Sequence, residues 1–271
     1  MLSIGLLGGW SVRSDGRHIK ADLGPAGRRL AALLAHTAGR SYRRDRLAEM
    51  FWSDIDPERG RAALNTALWR LRKLLTTAPE SGGGRNLVAL GEEIALETAD
   101  WLEIDSSRFD AGAKAALRGT TASDCKDAET LANAVSLYVG PFLEGEHEDW
   151  VLIERERLHS LYVRTAHELA RVHTRRGDLD EAIQVLREVL ATDPFRESTH
   201  RDLLLLLLLN GQRAEGLRTH ERWALSVSRE LGIRPMPQTE ALIGAIRANK
   251  TADWLESART EYLSGGAPLA R

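Results

Sequence analysis

Between Asp56 and Leu75 apolar residues recur at intervals of three and four, the spacing that lines one face of an α-helix. Ala63, Leu64, Ala67, Leu68, Leu71, Leu74 and Leu75 gather on one side, and Arg61, Asn65, Thr66, Trp69, Arg70, Arg72 and Lys73 on the other. Asp56 is placed to cap this helix, Pro57 suits its first turn, and Arg72 and Lys73 complement the negative end of its dipole. Upstream, the apolar residues are packed into short runs. Ser3–Leu7, Trp10–Arg13 and His18–Lys20, punctuated by Gly8-Gly9 and by Ser14-Asp-Gly-Arg17, read as a small antiparallel sheet. Pro25 then opens a helix carried by Leu30, Leu33 and Leu34 that ends near Ala38-Gly39. A further helix is predicted over Tyr42–Trp52, capped by Ser41, with Leu47, Met50 and Phe51 as its buried stripe. After Pro79-Glu-Ser-Gly-Gly-Gly84, Leu87–Leu90 and Ile94–Leu96 around Gly91-Glu92 predict a β-hairpin.

Sheet, three helices and hairpin in that order are a winged helix-turn-helix, with the third helix for a DNA major groove and the hairpin as its wing. From Asp105 the pattern is helical throughout. Gly177-Asp-Leu-Asp-Glu-Ala182 is echoed by Gly211-Gln-Arg-Ala-Glu-Gly216, 34 residues on, the tetratricopeptide period, and Asp193-Pro194 ends a helix between the two. Stretches around Glu129–Val139 and Trp150–Thr174 are expected to complete the helical core, since two copies are fewer than such a stack needs. The apolar run Leu203–Leu209 is far shorter than the ~20 residues of a membrane span and reads as a buried helix. The fold class is therefore mainly α with a small β part. Three regions are expected: a winged helix-turn-helix over 1–104, an all-α tetratricopeptide-like domain over 105–248, and a C-terminal helix and tail over 249–271. In the last, Ala252–Leu263 sets Trp254, Leu255, Ala258 and Leu263 on one side.

Charge sharpens this division. Residues 1–85 hold 15 Lys/Arg against 8 Asp/Glu, whereas 86–271 hold 22 against 31. A basic N-terminal part joined to an acidic remainder suits one domain facing polyanion and another facing protein. The single cysteine, Cys125, excludes an internal disulfide and a multi-cysteine metal site. With no secretory signal and no span, a cytoplasmic location and no membrane partner are expected. No phosphate-binding glycine loop with its lysine occurs, and the eight histidines show no metal-ligand spacing. His167 and His173, six apart, point to different faces of one helix. Neither catalysis nor a cofactor is expected.

The polar face of the 56–75 helix carries guanidinium forks, an amide and a hydroxyl but no carboxylate. Arg reads guanine edges, Asn reads adenine, and Lys and Thr reach phosphates. The DNA-binding candidates are therefore Arg61, Asn65, Thr66, Trp69, Arg70, Arg72 and Lys73, with Arg43 and Arg44 (and Arg46 beside them) as phosphate clamps and Arg85 at the base of the wing. The wing tip, Gly91-Glu92-Glu93, is acidic where a DNA contact prefers Lys or Arg, which keeps an alternative open: a repeat-based protein-binding or ligand-sensing regulator in which DNA binding is weak or lost. Arg28 and Arg29 sit at a helix start, where positive charge is unfavourable, and so point to an outside anion or to a solvated face. Glu144, Glu146, Glu148 and Asp149 form an acidic run suited to a basic partner or to solvent.

Several stretches together resemble the Streptomyces antibiotic regulatory protein family, an output-type winged helix followed by a bacterial transcriptional activator domain. Arg40–Trp52 is similar to that family's second helix, and Asn65-Thr66 with Trp69-Arg-Leu-Arg-Lys73 to its recognition helix. Tyr138-Val-Gly-Pro-Phe-Leu143, Glu154-Arg-Glu-Arg-Leu158 and Glu230-Leu-Gly-Ile-Arg-Pro235 resemble successive signatures of the activator domain. The resemblance implies an activator that binds double-stranded DNA beside a promoter as a homodimer on direct repeats and recruits RNA polymerase. It places Thr66, Arg70 and Arg72 at the groove or its phosphate walls, and Asp54, Asp56 and Glu58 in a turn that touches polymerase. Separately from the resemblance, a further alternative stays open: a DNA-binding protein that responds to an unidentified small-molecule effector held in the groove of the repeats.

Overall fold

The computed structural model describes residues 1–77, 84, 86–119 and 124–256. By its internal contacts the chain divides into two compact units, Met1–Gly112 with Ser136–Ser160, and Ala113–Val135 with Leu161–Arg271.

In the first unit, strands β1 (Leu2–Gly5), β2 (Ser11–Ser14), β3 (Arg17–His18) and a later strand β7 (Leu102–Ile104) form one sheet in the order β3-β2-β1-β7. β1 runs antiparallel to β2 with Ile4 opposite Val12, and parallel to β7 with Ile4 opposite Ile104. Side chains alternate faces along a strand, so Leu2, Ile4, Val12, Leu102 and Ile104 fall on the buried side together. The turn between β2 and β3 is Asp15-Gly16, both with positive φ (47° and 78°), the conformation that matches the twist of a tight hairpin.

Helix α1 (Gly24–His36) buries Leu30, Leu33 and Leu34 as the spacing predicts. The next element departs from the prediction. Ser41 caps nothing: Ser41–Arg43 is strand β4, because Tyr42 pairs with Ile94 and its hydroxyl donates to Thr37 Oγ1 at 3.0 Å. Helix α2 (Arg44–Trp52) starts only after that strand. Its buried residues are Leu47, Ala48 and Phe51, while Met50 is 39% exposed. Helix α3 (Pro57–Leu75) follows, then the hairpin β5 (Leu87–Leu90) and β6 (Glu93–Leu96) in the order β4-β6-β5.

Beyond β7 the chain is helical: α4 (Asp105–Gly119), α5 (Asp124–Ser136), α6 (Asp149–Arg176), α7 (Leu179–Thr192), α8 (Glu197–Leu209), α9 (Arg213–Leu231) and α10 (Pro237–Arg247). α5 stops at Ser136, short of the expected Val139. Gly177 and Gly211 occupy the corresponding turns after α6 and α8, both left-handed (φ 83° and 71°), so the 34-residue echo marks equivalent joints. In the second unit α7 packs on α8, α8 on α9 and α9 on α10, with Leu203, Leu204, Leu206 and Leu207 of α8 buried between them. Of the C-terminal helix, only its start lies among the described residues. There Trp254 packs on Leu204, Leu242, Ile243 and Ile246, whereas Ala258 and Leu263 lie outside them. No helix among the described residues is long and apolar enough to cross a membrane.

Candidate nucleic-acid interface

Helix α3 is set in place by its own sequence. Asp56 Oδ1 accepts the N–H groups of Glu58 (2.9 Å) and Arg59 (3.4 Å), satisfying two donors at the helix start. Leu64, Ala67, Leu68, Leu71, Leu74 and Leu75 are buried, and α3 packs against both α1 and α2. Gly27 of α1 faces Ala67 across that contact, and both are buried. What remains outside is the polar face. Arg61, Asn65, Thr66, Trp69, Arg72 and Lys73 are exposed and Arg70 is half-buried.

The side chains of this face differ in how free they are. Arg61 and Arg70 make no hydrogen bond or ion pair among the described residues, so both forks are open to a ligand. Trp69 is 60% exposed, too open to be a lid on the core, and the Lys73 ammonium lies 5.5 Å from its ring centre. Thr66 Oγ1 donates back to the Ala62 carbonyl at 3.0 Å, which leaves its oxygen as an acceptor. Arg72 differs from the expectation, because its Nη2 donates to the Leu87 carbonyl at 3.1 Å, tying the helix to β5. Arg44 also turns inward along the interface: its backbone N–H meets the Glu92 carbonyl at 2.8 Å, and its Nη1 donates to Asn65 Oδ1 at 2.7 Å. A cavity of about 130 Å³ between α3 and the hairpin is lined by Arg44, Asn65, Trp69, Arg72, Leu87 and Ile94. Periodicity does not register these tertiary bonds, and no local signal would have disclosed them.

Arg43 is the least available of the expected phosphate clamps. Its Nε and Nη2 lie 3.2 and 3.0 Å from the two oxygens of Asp45. The Asp45 carboxylate holds the guanidinium further up its range, and the guanidinium in turn pulls Asp45 below the ordinary aspartate value. Both groups are fully exposed, so this is a competitor that a phosphate would have to displace, not a source of stability. Arg85 lies outside the described residues. At the wing tip a left-handed Gly91 (φ 57°) leads into the acidic Glu92 and Glu93, and Leu90 just before it is 75% exposed, an apolar side chain in solvent that the hairpin pattern does not mark.

The stretches that carry the family resemblance turn out to have mechanical roles. Tyr138–Leu143 lies against the β1–β2 connection: Gly8 N donates to Pro141 O (2.9 Å) and Leu143 N to Leu6 O (2.7 Å). Gly140 is required there, since a Cβ would stand 2.9 Å from Gly8 Cα. Arg155 fastens the turn by donating to the carbonyls of Phe142, Leu143 and Glu146 at 2.8, 2.6 and 2.9 Å. Glu154 joins Arg157 (2.7 Å) and His36 (3.2 Å), and Arg157 also binds Asp110. The acidic run supplies the anion that Arg29 suggested: Arg29 Nε lies 2.6 Å from Glu148 Oε1, with Glu146 at 3.6 Å. That anion is internal. Gly232 in the last signature is the left-handed residue ending α9 (φ 67°), its N–H bonded to Ser228 O.

In the helical unit, His167 is held between Thr199 Oγ1 (2.9 Å) and Asp202 (3.2 Å), joining α6 to α8. His173 faces Asp178 at 3.8 Å. Among the described residues no group of three or more His, Cys, Asp or Glu is arranged to hold a metal ion.

Comparison with known proteins agrees with this layout. Residues 104–247 match the family described as the bacterial transcriptional activator domain. The regulatory protein AfsR of Streptomyces coelicolor is 28% identical over 245 residues, covering 89% of this chain but only 24% of the relative. The transcriptional regulatory protein MoaR1 of Mycobacterium tuberculosis is 27% identical over 233 residues, covering 83% of this chain and 73% of the relative. A structure of Mycobacterium tuberculosis EmbR, solved in complex with a low-affinity phosphopeptide, aligns with 97% of this chain and 69% of its own at a TM-score of 0.71 and 25% identity.

Proposed function

This chain belongs to the bacterial transcriptional activator domain family, of the Streptomyces antibiotic regulatory protein type, and on that footing we propose that it is a sequence-specific DNA-binding transcriptional activator. The observation that carries the reading is the outer face of α3: a capped helix, buried along its apolar side, that shows solvent Arg61, Asn65, Thr66, Trp69, Arg70 and Lys73, with its one carboxylate, Glu58, confined to the first turn. The wide major groove of B-form DNA admits one such helix, with Arg and Asn at base edges and Lys and Thr at phosphates. Arg61 and Arg70 are the open forks. Arg44 and Arg72, half engaged within the protein, give that surface its shape. The named relatives are regulators rather than enzymes, and no catalytic step is assigned.

Partners beyond DNA are part of the same proposal, polymerase and a second copy by family resemblance and an effector by the presence of the helical repeats. RNA polymerase recruitment through the α2–α3 turn (Asp54, Asp56, Glu58), a homodimer on repeated half-sites and an effector held by the helical repeats all belong to this proposal. Two observations favour a second reading, a scaffold whose DNA binding is weak: the wing tip is acidic, and Arg43 is already matched by Asp45.

Fluorescence anisotropy of the protein on genomic fragments, across a salt series, decides between them. The activator reading expects tight binding to some fragments that weakens steeply with salt as counterions are released. Arg70→Ala should lose about 1–3 kcal/mol on those fragments alone. Equal, weak binding of wild type to every fragment would favour the scaffold. Equal, selective binding by both proteins would remove Arg70 from the base-reading set.

A further inference from the structure

Resting on the DNA-binding reading above, the geometry points to a base preference for one residue: Asn65, held by Arg44, selects guanine over adenine at the base pair it faces. A guanidinium carries only N–H donors, so the Asn65 atom 2.7 Å from Arg44 Nη1 has to be the amide oxygen. That fixes which way round the amide sits. An unrestrained Asn reads adenine by donating to N7 and accepting from N6–H₂ with the same oxygen. Here that oxygen already faces a cation, and a second donor brought to it would enter beside a positive charge. The Nδ2 donors are left for a base acceptor. The Arg44 guanidinium adds only donors of its own, so the pair offers N–H groups in place of a donor–acceptor edge, which complements the N7 and O6 acceptors of guanine.

Arg44 is also held in position to impose this. It is half-buried, its own backbone N–H is bonded to the Glu92 carbonyl at 2.8 Å, and its side chain lines the cavity beneath Asn65 with Leu68 and Ile94. The wing thus takes part in reading bases without entering a groove: its backbone positions Arg44, Arg44 orients the Asn65 amide, and the amide meets the base. This revises the adenine preference that an isolated Asn on the helix would suggest.

The test is selection of bound duplexes from a randomised library by the full-length protein, alongside Asn65→Ala and Arg44→Met. Circular dichroism and the melting temperature of each variant establish that the fold is kept. Wild type should enrich guanine over adenine by about tenfold at one base pair. Asn65→Ala should level that position and leave the others unchanged. Arg44→Met, which frees the amide to turn over, should admit adenine at the same pair. Three results overturn the inference while sequence-specific DNA binding stands. They are adenine enriched by wild type at the pair that Asn65→Ala levels, a uniform weakening by Asn65→Ala with no base position altered (a phosphate contact), and an Arg44→Met profile identical to wild type. A wild-type protein that enriches no site removes the DNA-binding reading itself, and the inference falls with it.

Discussion

Asp105 shows how much a single side chain can decide here. Its two oxygens accept the backbone N–H groups of Leu6 (2.8 Å) and Leu7 (3.0 Å) just past the end of β1, where both residues are buried. Burial pushes this carboxyl above the ordinary aspartate range, against the pull of those amides. Asp105→Ala should therefore orphan two buried donors at roughly 1–3 kcal/mol each. Asp105→Asn, which keeps one acceptor, should fall between the two. Urea unfolding followed by tryptophan fluorescence measures both; an alanine variant as stable as wild type would mean that solvent reaches these amides. The same reasoning separates the arginines of the candidate interface. Arg29, Arg155 and Arg157 are committed to carboxylates or carbonyls inside the fold, whereas Arg61 and Arg70 are not, and their sequence neighbourhoods give no hint of the difference.

Helix α3 and the 138–143 segment make opposite demands on their surroundings. The helix carries its own cap and its own apolar face, so its existence and its outer surface follow from local chemistry. The 138–143 segment has neither periodicity nor a capping residue. It is ordered by backbone bonds to Leu6 and Gly8 and by the three carbonyl contacts of Arg155. Gly140→Ala should push this segment off the sheet connection, since the new methyl meets backbone, and should lower stability by about 1–3 kcal/mol. Arg155→Met should act in the same direction by leaving the Phe142, Leu143 and Glu146 carbonyls without that donor. A thermal-shift comparison reads both. An unchanged melting temperature for Gly140→Ala would show that Gly8 and Gly140 can part at little cost.

Each of the two units contains histidines that the fold keeps neutral, so acid should weaken both. His36, lying between Ser106 and Glu154, is pulled down mainly by burial, which outweighs its carboxylate partner. In the helical unit His200 stacks on Trp223 (ring centres 4.2 Å apart) and touches His220 at 3.3 Å. Burial first, then His220 and Arg201, pushes His200 down to about 3, and burial also lowers His220. A histidine whose pKa is depressed in the fold takes up its proton preferentially in the unfolded chain. Its stabilisation is therefore complete above the unfolded value near 6.5 and is lost as pH falls toward the folded value. For His200 the loss steepens below pH 6.5 toward roughly 1 kcal/mol per pH unit once the unfolded chain is mostly protonated. Denaturant unfolding at a series of pH values between 7 and 4.5 should show that slope for the helical unit, and His200→Phe should flatten it. A variant as acid-sensitive as wild type would place the titration elsewhere.

Much of this protein could be read from residue spacing, because a helix or a hairpin declares itself within its own few turns. The 56–75 helix with its two faces, the Asp56 cap, the Asp15-Gly16 turn, the wing hairpin and the 34-residue joints at Gly177 and Gly211 are all consequences of period and backbone stereochemistry, which short stretches express alone. Where the chain gave the wrong impression, a distant partner had intervened. Ser41 looked like a cap until β6 drew Ser41–Arg43 into a strand. Arg29 pointed to an outside anion until Glu148, more than a hundred residues away, supplied it from within. Asn65 offered a two-sided amide until Arg44 took its oxygen. Hydrogen bonds and ion pairs between elements depend on where side chains meet in space, and one-dimensional periodicity holds no record of that meeting. The existence and two-faced character of the 56–75 helix were therefore local information, whereas which of its polar side chains are engaged within the fold and which stay open was decided by long-range packing.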